Sequence, residues 1–522
     1  MRRSLVQSGP PMKLAVIGGG PSALYVTSRL LSLLKNEPNI RVHVYDRLWS
    51  PYGLVRYGVA PDHPEVKNCT HKFDETAKDP RFRFFGNIEV VPTPPFGSIP
   101  RLPSTRLGHA VQLPVSSILP YYTHLLLSTG CTLPTLHPTI LPSALCIPAL
   151  SLVHWYTSHP SNPPTPPLHQ KPHVSIIGAG NVSLDVARIL LTPPSLLSGY
   201  DLPRHVLEVL NRSTVKHVSI LARRGPLEAA FTAKELREMM NIPGTSMKHI
   251  PSDLLAPPPD VKVTRQQSRI LQLLQKGSKE KYGTTEKTWS VDFFRSPTQL
   301  SSAAGETKGD LPLTLTLSHT ALDPTTHASV PTGITSQLHT SLVVTSLGFQ
   351  ADPSSTPFYD PQLRRFRTLP GGRVVENQDG RVIKNVYGSG WAAGGAKGVL
   401  ASTMMDAYNV AETMVEDLVA SDATDSVASP SSYIGVQNGG VERGEEDSEK
   451  RDILEIMNPS ASLYSLPPEI ASALPERKVV EFKDWKKVDG EEVKRGQESG
   501  KERERMGWEE VKDFLGLKPA WK

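Results

Sequence analysis

The chain has 522 residues, of which 38% are hydrophobic and 21% charged, so it is long enough for about two to four globular domains. A formal net charge of +5 argues against the concentrated basic surface of a nucleic-acid-binding protein. Three cysteines without a C-x-x-C pair argue against a disulfide framework, a redox-active dithiol and a structural zinc site.

The first predicted elements are a buried strand, a glycine-rich turn and an amphipathic helix. The turn is Gly18-x-Gly20-x-x-Ala23, and a second strand follows over residues 41–45. The first glycine permits the tight turn, the second lets a pyrophosphate approach the backbone, and the small third residue lets the helix pack on the strand. Asp46 ends the second strand and can accept hydrogen bonds from ribose hydroxyls. This pattern predicts a dinucleotide-binding βαβ unit rather than a turn without a ligand.

A proline-rich region follows, from about Pro92 to Pro172, and predicts many loops. Within it, residues 133–153 are apolar, but four prolines and His137 interrupt them. A membrane-spanning helix does not normally carry so many breaks. We therefore expect no transmembrane segment.

A second unit repeats the strand, turn and helix at Gly178-x-Gly180-x-x-Ser183. An NAD site carries an acidic residue at the end of its second strand. In this unit the second strand, residues 217–221, is followed by Arg223 and Arg224 instead. A carboxylate repels a 2′-phosphate, whereas a guanidinium binds one with charge-assisted hydrogen bonds. The pair predicts NADP rather than NAD. The alternative is that both arginines are ordinary solvated surface.

Two such units about 160 residues apart predict an α/β protein with two doubly wound, Rossmann-like dinucleotide-binding domains, the second inserted into the first. The first domain is expected over residues 12–145 and 336–418, and the second over 146–335. Residues 419–460, rich in Ser, Gly, Asp and Glu, predict a flexible insertion. The charged residues 461–522 predict a tail that packs on the first domain.

Longer blocks resemble the adrenodoxin reductase family, the mitochondrial NADPH:ferredoxin oxidoreductases. They extend from about residue 13 to 516, and are 51–67, 180–191, 223–226, 231–238, 293–297, 388–391, 482–485 and 495–500. The resemblance implies FAD at the first glycine motif and NADPH at the second. It implies hydride transfer from NADPH to FAD and then single-electron transfer to a small acidic [2Fe–2S] ferredoxin, in support of iron–sulfur cluster, haem or cytochrome P450 pathways. It also implies a mitochondrial location on the matrix side, with peripheral inner-membrane association, although the short leader is a poor transit peptide by length.

The resemblance also assigns site residues by position. The FAD contacts would be Gly18, Gly20, Ala23, Asp46, Leu54, Val90, Trp391, Gly398, Val399 and Leu400. The NADP contacts would be Gly178, Ala179, Gly180, Asn181, Val182, Arg223, Arg224, Glu235 and Gly398. At Gly394-Gly-Ala-Lys-Gly398 the sequence departs from the family's usual Arg-Gly-Pro-Thr-Gly, which leaves the nicotinamide contacts near Lys397 open.

Four further residues match family positions. His63 and Asp185 correspond to a histidine and an aspartate near the flavin that are associated with proton or electron transfer. From the residues alone, His63 in its proline-flanked loop and Asp185 inside a helix are equally open to a role in shaping the site. Arg265 and Arg269, four residues apart on a predicted helix, match ferredoxin-docking arginines, and the alternative is a solvated helix face.

Functions from other classes remain open at this point. One alternative is another flavoenzyme with two dinucleotide sites, such as a flavin monooxygenase or a glutamate-synthase-like reductase subunit. Another is a nucleotide-sensing scaffold without turnover, which the complete set of glycines and arginines disfavours. The absence of a C-x-x-C pair disfavours thioredoxin-reductase activity.

Overall fold

The computed structural model describes residues 11–92, 107, 109–258, 261–302, 313–354, 358–376, 380–398, 400–425 and 453–519, with side chains to residue 420 in the helix that ends at 425. In these ranges the strands, in chain order, are β1 (Met12–Ile17), β2 (Ile40–Asp46), β3 (Phe82–Gly86), β4 (Ile88–Val91), β5 (Val111–Pro114), β6 (His124–Leu127), β7 (Leu133–Pro134), β8 (Cys146–Pro148), β9 (His173–Ile177), β10 (His217–Ala222), β11 (Thr245–Met247), β12 (Lys287–Phe293), β13 (Arg295–Ser302), β14 (Leu313–Leu322), β15 (Ser329–Thr340), β16 (Leu342–Thr345), β17 (Phe349–Gln350), β18 (Tyr359–Asp360), β19 (Arg365–Phe366), β20 (Arg373–Val375), β21 (Val382–Gly388), β22 (Ile453–Leu454) and β23 (Val480–Glu481).

The α-helices in the same ranges are α1 (Pro21–Leu33), α2 (Leu54–Tyr57), α3 (Thr70–Thr76), α4 (Val115–Ile118), α5 (Ala149–Tyr156), α6 (Asn181–Leu191), α7 (Pro194–Leu197), α8 (Arg204–Asn211), α9 (Ala233–Met240), α10 (Ser252–Leu255), α11 (Arg265–Lys276), α12 (Trp391–Gly394), α13 (Leu400–Asp425), α14 (Pro468–Ala473), α15 (Phe482–Glu498) and α16 (Trp508–Leu515). None of these helices is both long enough and apolar enough to cross a membrane.

The first sheet contains the first glycine motif. Its strand order is β20-β21-β6-β1-β2-β3-β23, and β22 pairs with β21. Strands β21, β6, β1, β2 and β3 run parallel to one another, whereas β20 and β23 at the two ends pair antiparallel. All six residues of β1 are buried, as is typical of a parallel strand that is covered on both faces. Apolar side chains of α1 and α13 pack with β1 in one core.

The second sheet has the order β11-β12-β10-β9-β16-β8, and all of its strands are parallel. These strands lie between β6 and β20 in the sequence, so the second unit is inserted into the first. The prediction of two Rossmann-like units, one inside the other, is confirmed. The predicted strands after each glycine motif, 41–45 and 217–221, differ from β2 and β10 by one residue at an end.

The structure differs from the sequence-based prediction at two places. Helix α13 continues through Asp425, into the predicted flexible insertion 419–460, because residues 419–425 contain neither glycine nor proline. Residues 426–452 of the predicted insertion lie outside the described residues, and β22 lies within its last part. The sequence also did not predict the antiparallel sheet β13-β14-β15, which packs leucines of β14 on Ile177 and Leu221 of the second sheet.

The C-terminal residues contact both units. Strand β23 pairs with β3, and Trp485, Val488 and Met506 are buried in the core of the first unit. Between α15 and α16, Arg505 forms hydrogen bonds of 2.7 and 2.5 Å to the two oxygens of Asp201, which precedes α8 in the second unit. We call residues 499–506 the strap. It links the first unit's core to the second unit.

Candidate functional site

The first glycine turn leaves open space in front of a helix. Gly18 has a φ of +98°, and a β-carbon there would lie 2.4 Å from the carbonyl oxygen of Ser128, so only glycine fits. At Gly20, which precedes α1, a β-carbon would meet no described atom within 4 Å. The unpaired N–H groups at the N-terminus of α1 therefore face a space that can receive a phosphate.

Asp46 ends β2 beside this turn. Its side chain is buried and accepts hydrogen bonds from the Gly19 N–H at 2.5 Å and the Leu48 N–H at 2.8 Å. Burial raises the pKa of Asp46 to about 6, despite these two bonds. The carboxylate thus fixes the glycine turn, and its contact with a ribose stays a prediction.

The loop that carries Leu54 lies against the same turn. The Tyr52 N–H donates to the Gly19 carbonyl at 2.9 Å, and a β-carbon on Gly53 would lie 3.0 Å from the α-carbon of Gly20. Leu54 itself begins α2 and is 37% exposed. An apolar side chain is therefore presented to solvent next to the phosphate-sized space.

Two other predicted FAD contacts are buried. Ala23 lies on the first turn of α1, and Val90 lies on β4 in the same apolar cluster as Ile17 and Tyr45. At 0% and 6% exposure, these side chains act through close packing, and only backbone or side-chain edges remain for a ligand.

The loop after β21 crosses the start of α1. Gly390 has a φ of +67°, and a β-carbon there would lie 2.4 Å from Ser22 Oγ, so a side chain would push the loop away. The Ser389 N–H donates to the Leu127 carbonyl at 3.0 Å. These contacts place Trp391, the first residue of α12, at the carboxyl edge of the first sheet.

Trp391 is held by the segment that departs from the family sequence. Its Nε1–H donates to the carbonyl of Lys397 at 3.1 Å, and its ring stacks on Phe349 at a centroid distance of 6.0 Å. Cys131, which the sequence did not suggest, has its Sγ 3.3 Å from the Trp391 carbonyl. Gly398 is exposed with a φ of +82°, and Leu400 begins α13, whereas Val399 lies outside the described residues.

Unpartnered hydroxyls line this edge of the sheet. The side-chain oxygens of Ser128, Thr129 and Ser389 are buried and have no hydrogen-bond partner among the described residues. They follow β6 and β21, and the strand order changes direction between β1 and β6, where doubly wound sheets bind their ligands. Buried polar groups without partners are rare, so these residues fit a polar ligand such as FAD.

The second glycine turn has the same construction. Gly178 has a φ of +117°, and a β-carbon there would lie 2.2 Å from the Ser346 carbonyl, whereas one on Gly180 would meet no described atom within 4 Å. The loop before α9 closes on the turn: its backbone N–H groups donate to the Ala179 carbonyl at 3.0 Å and to Asn181 Oδ1 at 2.8 Å. Val182 is half-buried on the first turn of α6.

Arg223 and Arg224 follow β10 at the carboxyl edge of the second sheet. Arg223 is exposed, Arg224 is half-buried, and neither guanidinium forms an ion pair with any described carboxylate. The Arg223 carbonyl accepts hydrogen bonds from Thr320 at 2.8 Å and Ser329 at 2.7 Å. The antiparallel sheet thus fixes the backbone and leaves both cations available for a phosphate.

Glu235, which the resemblance assigns to the NADP site, lies in a cluster of acids around Arg188. The Arg188 guanidinium donates two hydrogen bonds to Asp62, at 2.7 and 3.0 Å, and lies 2.8 Å from Asp185 Oδ1. Its third nitrogen lies 3.2 Å from Glu235 and 3.3 Å from Glu238. We call these five residues, together with His63, the acid cluster.

His63 completes the acid cluster. Its Nε2 lies 2.6 Å from Glu238 Oε2 and 4.0 Å from Glu235 Oε2. Burial is the largest influence and opposes the imidazolium charge, but the hydrogen bond to Glu238 and the charges of Asp62 and Glu238 together raise the pKa of His63. Burial and the charge of Asp185 raise the pKa of Glu235 to about 7, and burial also raises the pKa of Asp185. The cluster can therefore hold and exchange protons near neutral pH.

The structure brings the predicted His63, Asp185 and Glu235 together, but sequence reasoning missed Arg188 and Asp62. The one local signal was the spacing of Asp185 and Arg188, three residues apart on α6, which places them on the same helix face.

Arg265 and Arg269 both lie exposed on α11. Thr264 caps this helix, and Gln267 Nε2 donates to the Leu227 carbonyl at 2.9 Å, which ties α11 to the loop after Arg223 and Arg224. Within the described part of the chain neither Arg265 nor Arg269 forms an ion pair. Two adjacent cations are therefore open to solvent on one helix face.

No protein-family model matches the chain. Among curated proteins it is similar to "NADPH:adrenodoxin oxidoreductase, mitochondrial" of Bos taurus, with 34% identity over 516 residues that cover 95% of this chain and 90% of the relative. The Homo sapiens protein of the same name is 36% identical, with 95% and 90% covered. A "Probable NADPH:adrenodoxin oxidoreductase, mitochondrial" of Schizosaccharomyces pombe is 32% identical, with 79% and 83% covered.

Among solved structures, the chain is similar to "Mycobacterium tuberculosis FprA in complex with NADPH". The TM-score is 0.74 at 26% identity, and the match covers 97% of this chain and 99% of that one. The similarity to the bovine and human proteins covers 95% of the chain. The chain belongs to the NADPH:adrenodoxin oxidoreductase family.

Proposed function

We propose that this chain is an FAD-dependent NADPH:ferredoxin oxidoreductase. The observation that carries the proposal is the pair of open glycine turns, one in each large sheet, of which the second is followed by two arginines that pair with no acid in the described ranges. Membership of the family supports FAD at the first turn and NADPH at the second. When bound, FAD accepts a hydride from NADPH and releases electrons one at a time to an iron–sulfur protein.

The first turn and its neighbours hold the FAD. The N-terminus of α1 binds the pyrophosphate, and Asp46 keeps the glycine turn in place while it faces the ribose. Trp391 and Leu54 present side chains at the rim of the same space. The buried hydroxyls of Ser128 and Ser389 supply hydrogen bonds that are otherwise unused.

The second turn selects NADPH. Gly180 admits the pyrophosphate to the N-terminus of α6, and Arg223 and Arg224 bind the 2′-phosphate. Thr320 of β14 and Ser329 of β15 fix the backbone at Arg223 by donating hydrogen bonds to its carbonyl. Phosphate binding therefore has to order only the two arginine side chains, which keeps the loss of conformational entropy small.

We also propose that His63 and Asp185 lie beside the reacting groups and manage protons there. Both belong to the acid cluster, which lies where the loop after α2 in the first unit meets α6 and α9 of the second. One proton is taken up in addition when a bound flavin receives a hydride, and two protons are released when its two electrons pass to one-electron acceptors, so a group that exchanges protons at this seam supports the reaction.

The acceptor is a small acidic [2Fe–2S] ferredoxin that docks on α11. Arg265 and Arg269 provide positive charge that no acid among the described residues neutralises, as electrostatic docking requires. The curated relatives are named as mitochondrial, and we propose the same location here, on the matrix side and in peripheral contact with the inner membrane.

One experiment tests the proposal. The purified protein should show flavin absorbance and should reduce cytochrome c with NADPH much faster when a [2Fe–2S] ferredoxin is present. A flavin monooxygenase would consume O₂ and show no dependence on ferredoxin, and a nucleotide-sensing scaffold would show no turnover. Equal use of NADH and NADPH would contradict the role given to Arg223 and Arg224.

A further inference from the structure

Arg188 is the residue that joins the acid cluster across the two nucleotide-binding units. It is 4% exposed and lies on α6 of the second unit. Asp62, which takes two of its hydrogen bonds, lies on the loop after α2 in the first unit, immediately before His63. The position of His63 therefore depends on a residue from the other unit.

The groups around Arg188 include more acids than bases. Four carboxylates, of Asp62, Asp185, Glu235 and Glu238, surround one guanidinium and one imidazole. Fully ionised, the cluster would carry two more negative than positive charges. Without Arg188 the four acids would face one another with only His63 and, on the outer side, Lys234 as described cations, and like charges buried at such distances are costly.

We propose that Arg188 is a positioning residue for His63: its two-point bond to Asp62 holds the loop that carries His63 against α9, where the imidazole meets Glu238. Only an arginine fits this role, because its planar guanidinium contacts acids from three elements at once. A lysine carries the same charge but concentrates it on a single nitrogen.

The other charged and titratable groups around the cluster do not replace this tie. Lys234 bonds Glu65 at 2.8 Å and lies 3.9 Å from Glu238, so it neutralises the outer side of the cluster. Tyr156 of α5 faces Asp185 and Arg188, and its buried hydroxyl has no hydrogen-bond partner among the described residues. Neither residue reaches across from α6 to Asp62.

The test follows the titration of His63 in the holoenzyme. The protein contains 16 histidines. With ¹³C at Cε1 each histidine gives an NMR signal, and the signal that is missing in the His63→Gln variant is assigned to His63. In Arg188→Lys the charge stays and the two-point bond is lost. We expect the pKa of His63 to fall towards its ordinary value, because the imidazole loses its aligned bond to Glu238.

Kinetics provide a second readout. Arg188→Lys should lower the limiting rate of NADPH-dependent flavin reduction by about tenfold, since a misplaced group near the reacting atoms is costly. The KM for NADPH should stay within about twofold, because Arg188 belongs to the acid cluster and not to the proposed phosphate site.

Arg505→Lys is the matched control. It weakens the other buried arginine–aspartate tie of the second unit, to Asp201, and Arg505 has no contact with the acid cluster. It should lower thermal stability and leave the His63 titration unchanged. Asp62→Glu, which keeps the carboxylate charge that itself raises the pKa of His63 but displaces the two-point bond, provides a second variant with the same expected fall, should Arg188→Lys fail to fold.

An unchanged pKa of His63 in the variants, or an equal change in Arg505→Lys, would overturn the inference and leave Arg188 a purely structural residue. The inference rests on the proposed function only in giving His63 a part in the reaction. The titration requires neither NADPH nor ferredoxin, so failure of the proposed reductase activity is distinguishable from failure of the positioning role.

Discussion

Arg505 of the strap and Asp201 of the second unit form a buried two-point ion pair, with N–O distances of 2.7 and 2.5 Å and side-chain exposures of 1% and 3%. Lys67 of the first unit reaches the same carboxylate at 3.0 Å. Arg505 also donates to the Thr157 carbonyl at 2.5 Å. Three separate parts of the chain thus meet at one aspartate, which makes this contact a candidate for fixing the angle between the units.

We expect Arg505→Ala to lower the thermal midpoint strongly. Removal of one partner from a buried pair leaves an uncompensated charge and costs about 3–5 kcal/mol; Lys67 remains near Asp201, so we expect the lower end. Arg495→Ala is the control, because its pairs with Glu491 and Glu510 are partly exposed and worth well under about 1 kcal/mol. Calorimetry of both variants checks this, and equal midpoints would show that the strap contributes no stability.

Two alanine substitutions should each impair one of the two nucleotide sites and leave the other intact. A β-carbon at Gly20 or Gly180 meets no described atom within 4 Å, and their φ angles of −77° and −114° suit alanine. Both variants should therefore fold normally, and any loss reflects a ligand that approaches the backbone. Gly20→Ala should weaken FAD retention, and Gly180→Ala should raise the Kd for NADPH by about tenfold or more with FAD content unchanged.

Flavin absorbance per protein and titration with NADPH provide the measurement. Each variant serves as the control of the other, because the two turns have the same construction in different sheets. If both alanines were tolerated without effect on either nucleotide, neither turn would approach a pyrophosphate.

The double substitution Arg223→Ala with Arg224→Ala tests the choice of NADPH. Each lost charge-assisted phosphate contact is worth about 1.5–3 kcal/mol, so the KM for NADPH should rise by about 100-fold or more. The KM for NADH, which lacks the 2′-phosphate, should change by no more than about twofold. Arg212→Ala, an exposed arginine of the same unit, is the control for loss of surface charge.

The features that the sequence predicted correctly are local. Each glycine turn, its strand and its helix lie within about 30 residues, and spacing alone identifies them. Arg223 and Arg224 were found because they end the strand that follows such a turn. In contrast, Asp62 and Arg188 are 126 residues apart, and Arg505 and Asp201 are 304 residues apart. No pattern in the sequence pairs them, because their contact depends on how the two units pack.

The acid cluster likewise depends on contacts between the two units that no sequence pattern shows, although three of its residues were identified from the sequence. The resemblance identified His63 and Asp185 as a pair near the flavin, and Glu235 separately as a contact of the NADP site. The structure places all three around Arg188, a residue that reads in the sequence as an ordinary helix position. Its importance comes from burial, which turns a helix-face ion pair into the centre of a charged network.

The raised pKa of Glu235 predicts a pH-dependent stability. Its folded-state pKa of about 7 exceeds the usual 4.5, with burial as the main cause, so folding favours the protonated form. The stabilisation is fully present below about pH 4.5 and is lost as the pH rises through 7. Glu235→Gln mimics the protonated acid, so its thermal midpoint should exceed the wild-type value by several degrees at pH 8 but not at pH 5.

Thermal melts at both pH values, with Glu286→Gln as an exposed control, measure this difference. A constant difference between wild type and Glu235→Gln at the two pH values would mean that Glu235 does not titrate in this range.

Docking of the acceptor on α11 should depend on ionic strength. Arg265 and Arg269 are exposed, four residues apart and without described acidic partners, so their attraction for an acidic ferredoxin is screened by salt. Arg265→Ala with Arg269→Ala should raise the KM for ferredoxin about tenfold at low salt and flatten its salt dependence, with NADPH oxidation by ferricyanide unchanged. Lys35→Ala removes an exposed cation from the first unit and should alter neither quantity. A ferredoxin KM that rises with salt equally in the double variant and the wild type would place the docking surface elsewhere.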